Sequence, residues 1–289
     1  MISETQPGST PEPTPDATPD STADSAADSA AHSAAGSPME AEFDTVAAWT
    51  EGAVRALGPD HAVPAACRGS GSPADLAWLA QGLDLRGDQR FLDAGAGLGG
   101  PAAWLADDRR GSWDGRPVLT EPMVHAAASA RRLFGFPTAA AVSEALPLPT
   151  DGVDAAWSLG VLCVTPSRTD MLAELRRVLV TGGHLGLLVL VHAGTPLPEQ
   201  PEGNDFPTHA ELHDQLAGAG FRVDDEIDAA RLPGAPPSWT ERADRVEEHL
   251  RRHHGDHPAW RQAREQEQVM GRLLRERYVV TTLLRTTAV

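Results

Sequence analysis

The stretch Phe91-Leu-Asp-Ala-Gly-Ala-Gly-Leu-Gly-Gly-Pro101 joins a short apolar run to a helix-like segment through a glycine-dense turn. Gly95, Gly97 and Gly99 can take positive φ or leave the room a β-carbon would fill, so a ligand can lie against bare backbone where the strand ends. Pro101 suits the first turn of the following helix, where the amides have no partner to lose. The segment reads as the nucleotide-facing corner of a Rossmann-like sheet.

Downstream of this corner, apolar runs and helical patterns alternate as a parallel α/β sheet requires. The expected strands are Phe91 to Ala94, Pro117 to Thr120, Ala139 to Val142, Val153 to Ser158, His184 to Val191, Phe221 to Glu226 and Tyr278 to Arg285. Helices are expected after the glycine turn, around Trp104 and Leu105, and over Val124 to Leu133, Arg168 to Leu179 and His209 to Ala217. Upstream, Phe43, Val46, Ala47, Trp49 and Val54 are spaced for one helical face, and a second helix starts after Pro73 with Leu76, Trp78 and Leu79 inward. A polar, arginine-rich helical stretch over about 236–277 separates the last two strands and forms a natural lid. The fold class is therefore α/β: a Rossmann-like sheet of seven strands, mostly parallel with the last strand antiparallel, with helices on both faces, plus the helical lid. Residues 1–38 are Ser, Thr, Ala, Pro and acid with no aromatic residue, the composition of a disordered tail, and 39–289 is read as one domain.

All 24 basic residues are arginine, which removes a P-loop lysine, Schiff-base chemistry and a lysine base. A net charge of −17 repels a phosphate backbone on average, despite the local arginines Arg242, Arg245, Arg251 and Arg252, so no nucleic-acid partner is expected. Cys67 and Cys163 have no paired spacing, so neither a disulfide nor a zinc site is expected and a reducing cytoplasm fits. No basic and apolar leader and no long apolar window is present, so no membrane partner is expected.

The glycine turn alone leaves two cofactors open. Gly95-x-Gly97-x-x-Gly100 satisfies the dinucleotide fingerprint, and Glu121 lies near the distance of a ribose-binding acid. Asp93 separates them: a carboxylate there repels a pyrophosphate and attracts a cationic amino group. With Asp93 included, the segment resembles the first motif of class I S-adenosylmethionine-dependent methyltransferases. Glu121-Pro-Met123 resembles their second motif, with Glu121 on the ribose and Met123 against adenine. Val142-Ser-Glu-Ala-Leu-Pro-Leu-Pro149 resembles the segment after their third strand, but Val142 replaces the adenine-binding aspartate and leaves Ser143 to substitute. Asp151 to Cys163 looks like the fourth motif, placing Ser158, Leu159 and Gly160 near the cofactor's amino-acid or sulfonium end, and Met171 to His184 looks like the family's helix, glycine turn and fifth strand. The resemblance also places Arg68, in the loop Cys67 to Pro73, within reach of the cofactor's carboxylate.

The resemblance implies S-adenosylmethionine as cofactor and in-line methyl transfer to a small-molecule acceptor. His192, just past the fifth strand, is the candidate base, ahead of His125 and of His209 with His213. His249, His253 and His257 recur every four residues, but Gly255 and Pro258 break that helix, so no metal is expected. A nicotinamide oxidoreductase and an inactive binding protein of the same fold remain as alternatives, the latter drawing on Val142.

Overall fold

The computed structural model describes Met1, residues 38–109 and residues 111–289. The tail expected over 1–38 therefore falls almost entirely outside the described residues. Helices α1 (Pro38–Leu57), α2 (Ala62–Ala66) and α3 (Pro73–Leu83) precede the sheet. Then follow β1 (Phe91–Ala94), α4 (Gly100–Asp108), β2 (Pro117–Thr120), α5 (Val124–Phe134), β3 (Thr138–Ala139) and β4 (Val153–Leu159). The chain continues through α6 (Arg168–Val178), β5 (Leu179–His192), α7 (His209–Gly218) and β6 (Phe221–Asp228). It ends with α8 (Pro237–His254), α9 (Pro258–Arg275) and β7 (Val279–Ala288).

One seven-stranded sheet has the order β3-β2-β1-β4-β5-β7-β6. Every pairing from β3 to β5 is parallel, and β7 runs antiparallel to both β5 and β6. The order reverses between β1 and β4, and ligands of open α/β sheets gather beyond the carboxyl ends of strands at such a point.

Alternation along the strands explains why helices cover both faces. Leu92, Ala94 and Ala156 join the cluster built with Met171, Leu172 and Leu175 of α6 and Leu212 and Leu216 of α7. Phe91, Ala155 and Trp157 point the other way, into the cluster of Leu76, Leu79 and Leu83 of α3 and Leu105 of α4. Phe91 and Trp157 meet edge to face at 5.2 Å, and Asp93 shares their side of β1.

α8 and α9 are inserted between β6 and β7, where the lid was expected. They break at Gly255-Asp256-His257, and Val246, Leu250, Trp260 and Ala263 pack with Val46, Ala53 and Val54 of α1. His254 stacks on Trp49 with ring centroids 4.0 Å apart.

Three expectations need correction. The third strand is only Thr138–Ala139, because this edge of the sheet offers small alanines with little area to bury against a neighbour; Val142, set in a strand by the sequence, is 48% exposed. Strand β5 starts at Leu179, since Gly182 and Gly183 are absorbed as a pairing irregularity opposite Val153 to Ala155. Phe43, counted on the inward face of the first helix, is 39% exposed, and its ring lies 3.6 Å from where a β-carbon on Gly97 would stand.

Candidate functional site

The site is assembled at the carboxyl ends of β1, β2 and β4. Gly95, Gly97 and Gly99 all take positive φ, at 75°, 54° and 80°. The turn is tied to β2 by Gly95 N and Ala96 N, which donate to the Thr120 carbonyl at 2.9 and 3.0 Å. Gly100 has an ordinary φ and is required for another reason. A β-carbon there would lie 2.5 Å from the Ala66 carbonyl carbon and 2.7 Å from the Cys67 amide nitrogen, so α2 sits directly on the first turn of α4.

Asp93 and Glu121 are the two acids of this corner, 1% and 2% exposed. Glu121 is anchored by backbone amides: Gly97 N donates to Oε2 at 2.8 Å and Met123 N to Oε1 at 3.0 Å. Asp93 differs, with Oδ2 buried and lacking a hydrogen-bond partner among the described residues. Burial pushes its carboxyl up to about 7; the Trp157 indole draws it partly back, and the Glu121 charge raises it further. The indole forms no hydrogen bond of standard geometry among the described residues, where Trp157 Nε1 is also buried without a partner. One buried carboxylate oxygen and one buried indole N–H therefore stand at this corner without hydrogen bonds among the described residues. The chemistry it accepts is an organic cation at Asp93 and hydroxyl donors at Glu121, and the chemistry it repels is a pyrophosphate.

The other residues picked from the sequence come together less evenly. Met123 is half-buried at the start of α5, and Ser143 is buried. Leu159 ends β4, and Gly160 follows at φ 81°, where a β-carbon would stand 3.0 Å from the Gly69 carbonyl oxygen. Ser158 is committed to the scaffold, its hydroxyl donating to the Ala94 carbonyl at 2.8 Å. Arg68 bonds Glu267 of α9 at 3.1 Å, so in this structure it straps the loop to that helix.

His192 ends β5 and lines a cavity of about 370 Å³ with Leu197, Gln200, Asp205 and Phe206. Its Nδ1 accepts from Gly194 N at 3.0 Å. A neutral ring accepting at Nδ1 carries its proton on Nε2, so the nitrogen left for a ligand donates rather than abstracts. His125 is held by Asp44, whose carboxylate also accepts from the amides of His125 and Ala126 and thereby caps α5 from α1. His209 and His213 face Glu226 of β6.

The sequence reading missed Trp157, Phe43, Val161 and Cys67. Val161 covers Gly95, with Cγ2 2.4 Å from a built β-carbon. Cys67 is buried with its thiol pushed well above the usual range by desolvation and then by the Asp93 charge, which places it beside that carboxylate. Only Trp157 carried a signal, as the alternate residue on a strand next to the one bearing Asp93.

Residues 92–187 match the family model described as a methyltransferase domain. The methyltransferase GfsG of Streptomyces halstedii is 31% identical over 122 residues, covering 40% of this chain and 43% of that protein. The chain thus spans less than half the length of that curated relative. The [4+2]-cyclase SpnF shares the fold with a TM-score of 0.60 at 21% identity, over 76% of this chain and 83% of that one. The geranyl diphosphate C-methyltransferase of Streptomyces coelicolor A3(2), solved with Mg2+, geranyl diphosphate and S-adenosyl-L-homocysteine, aligns with a TM-score of 0.55 at 16% identity, over 75% and 77% of the two chains. Residues 92–187 thus match a methyltransferase domain, and the seven-stranded sheet around them shares its fold with these solved structures.

Proposed function

We propose that this methyltransferase-family chain binds S-adenosylmethionine at the β1–β2–β4 corner and methylates a small-molecule acceptor in the cleft beside His192. The observation that carries the reading is the buried Asp93 carboxyl, whose Oδ2 has no hydrogen-bond partner among the described residues, next to an amide-anchored Glu121. When bound, the cofactor supplies an electrophilic methyl group on a sulfonium, moved by in-line displacement.

The chain's own residues bind, orient and exclude water. Asp93 takes the cofactor's ammonium, which restores its charge against burial. Glu121 receives the ribose hydroxyls, held in place by Gly97 N and Met123 N, and the Met123 side chain packs on adenine. Gly95, Gly97 and Gly99 give backbone contact, while Ser143, Leu159 and Gly160 border the ligand and Ser158 fixes β4 to β1. Val142 offers no side-chain bond to adenine, a loss worth about 0.5–1.5 kcal/mol of affinity. His192 orients the acceptor through Nε2–H; it becomes a base only in the tautomer that releases Gly194. The domain comprises residues 39–289, with the lid over about 236–277 closing above the cleft.

Among the described residues no helix is long and apolar enough to cross a membrane. A small-molecule acceptor agrees with that, with the net charge of −17 and with the cleft's size.

The test is calorimetric titration with S-adenosylhomocysteine and separately with NAD(H) and NADP(H), followed by transfer of labelled methyl from S-adenosylmethionine to an acceptor panel. Selective S-adenosylhomocysteine binding with label transfer is the expected result. Binding of a nicotinamide cofactor alone overturns the reading of the glycine turn. Because a cyclase shares this fold, label transfer and not binding decides the activity.

A further inference from the structure

Away from the glycine corner, two imidazoles and a carboxylate converge on the far edge of the sheet. His209 and His213 lie four residues apart on α7 and so share one helical face. His209 Nδ1 is 3.0 Å from Glu226 Oε1, and His213 Nε2 is 2.7 Å from Glu226 Oε2. One ligating atom from each residue lies within 4.8 Å of the others.

The backbone has a feature that creates this convergence. Along β6, Phe221 and Val223 face the cluster under α7, and simple alternation would send Asp225 there next. The pairing with β7 instead shifts between Val223 and Asp225. After that irregularity Asp225 reaches Arg285 on the opposite face, Ile227 joins the cluster with α3, and Glu226 turns toward α7. A one-residue bulge thus re-aims the carboxylate at the two histidines.

We propose that His209, His213 and Glu226 form a binding site for a divalent transition-metal ion of the zinc type, separate from the methyl-transfer site. Two imidazoles at i and i+4 with one carboxylate are ligands that zinc takes at about 2.0–2.2 Å, leaving one place for water. The present spacing closes to that geometry by side-chain rotation, because Glu226 is the most buried of the three and the histidines are half in solvent. The ion clasps the first turns of α7 to the edge strand. Thr208, which caps α7, also bridges to His192, so the clasp fixes one wall of the cleft.

The experiment is a calorimetric titration of the metal-stripped chain with zinc chloride at about pH 7.5, where imidazole is neutral, and a parallel cobalt titration read by visible absorbance. The expected result is one equivalent per chain in the micromolar range, with four-coordinate cobalt bands and a rise in Tm. His213→Ala and Glu226→Gln should each weaken binding at least tenfold, with folding checked by circular dichroism. A His249→Ala/His253→Ala double variant, altering the other histidine cluster, should bind as wild type. Retention of the equivalent in His213→Ala and Glu226→Gln, its loss in the double variant, or no saturable binding by about 1 mM overturns the proposal.

Discussion

Raising the proton concentration should detach the cofactor through one residue. With the Asp93 carboxyl at about 7, its ionised fraction is about 0.9 at pH 8 and about 0.1 at pH 6. A ligand ammonium binds the ionised form, so affinity for S-adenosylhomocysteine should fall about tenfold over that interval, or about 1.4 kcal/mol. At pH 7 binding should release about half a proton, read by calorimetry in buffers of different ionisation enthalpy. Asp93→Asn keeps the shape and removes the charge; it should bind about 1.5–3 kcal/mol more weakly and without this pH dependence. Stability should move the opposite way. The folded value lies above the ordinary 3.8, so the folded chain holds the extra proton, and stability falls as pH rises from about 4 to about 7. The cumulative cost is on the order of 4 kcal/mol, the difference between 3.8 and about 7 converted at about 1.4 kcal/mol per unit. Asp93→Asn should therefore raise the Tm of the ligand-free chain at pH 8. A wild-type affinity that is flat between pH 6 and pH 8, or a variant that reproduces the wild-type profile, would refute the reasoning.

Glu121→Ala strips the partners from the Gly97 and Met123 amides, each bond to a charged acceptor being worth about 1.5–3 kcal/mol, so both Tm and S-adenosylhomocysteine affinity should drop; loss of affinity at unchanged Tm would contradict the anchoring role. Gly100→Ala drives a β-carbon into the backbone of Ala66 and Cys67 and should cost about 1–3 kcal/mol in denaturant unfolding, whereas an open site would tolerate it. His192→Gln preserves a donor toward the cleft and should keep more label transfer than His192→Ala; equal loss in both would favour a base. Glu51 is buried under Arg132, whose bond holds its carboxyl below the usual range, so Glu51→Gln should remove stability that wild type has above the carboxylate range and loses as pH falls through the lowered value, seen as a smaller acid-induced drop in Tm.

The sequence by itself determined the elements that local chemistry dictates. Strands β1 and β2 are where their apolar runs lie, and the glycine turn carries its positive φ values because only glycine takes them at no cost. The helix break at Gly255 to Pro258 and the placement of Asp93 and Glu121 at strand ends were equally local, and the order of motifs was enough to mark the methyltransferase domain. Position relative to distant chain was not. The sequence could place Arg68 in a loop but not against Glu267, and could count Phe43 as apolar but not see it over Gly97. Whether His192 abstracts or donates rests on one backbone amide two residues away, and the pairing of His209 and His213 with Glu226 rests on a bulge whose register belongs to the sheet. Short-range sterics and periodicity are written residue by residue, whereas burial, pKa and ligand convergence are properties of neighbours that only the tertiary fold supplies.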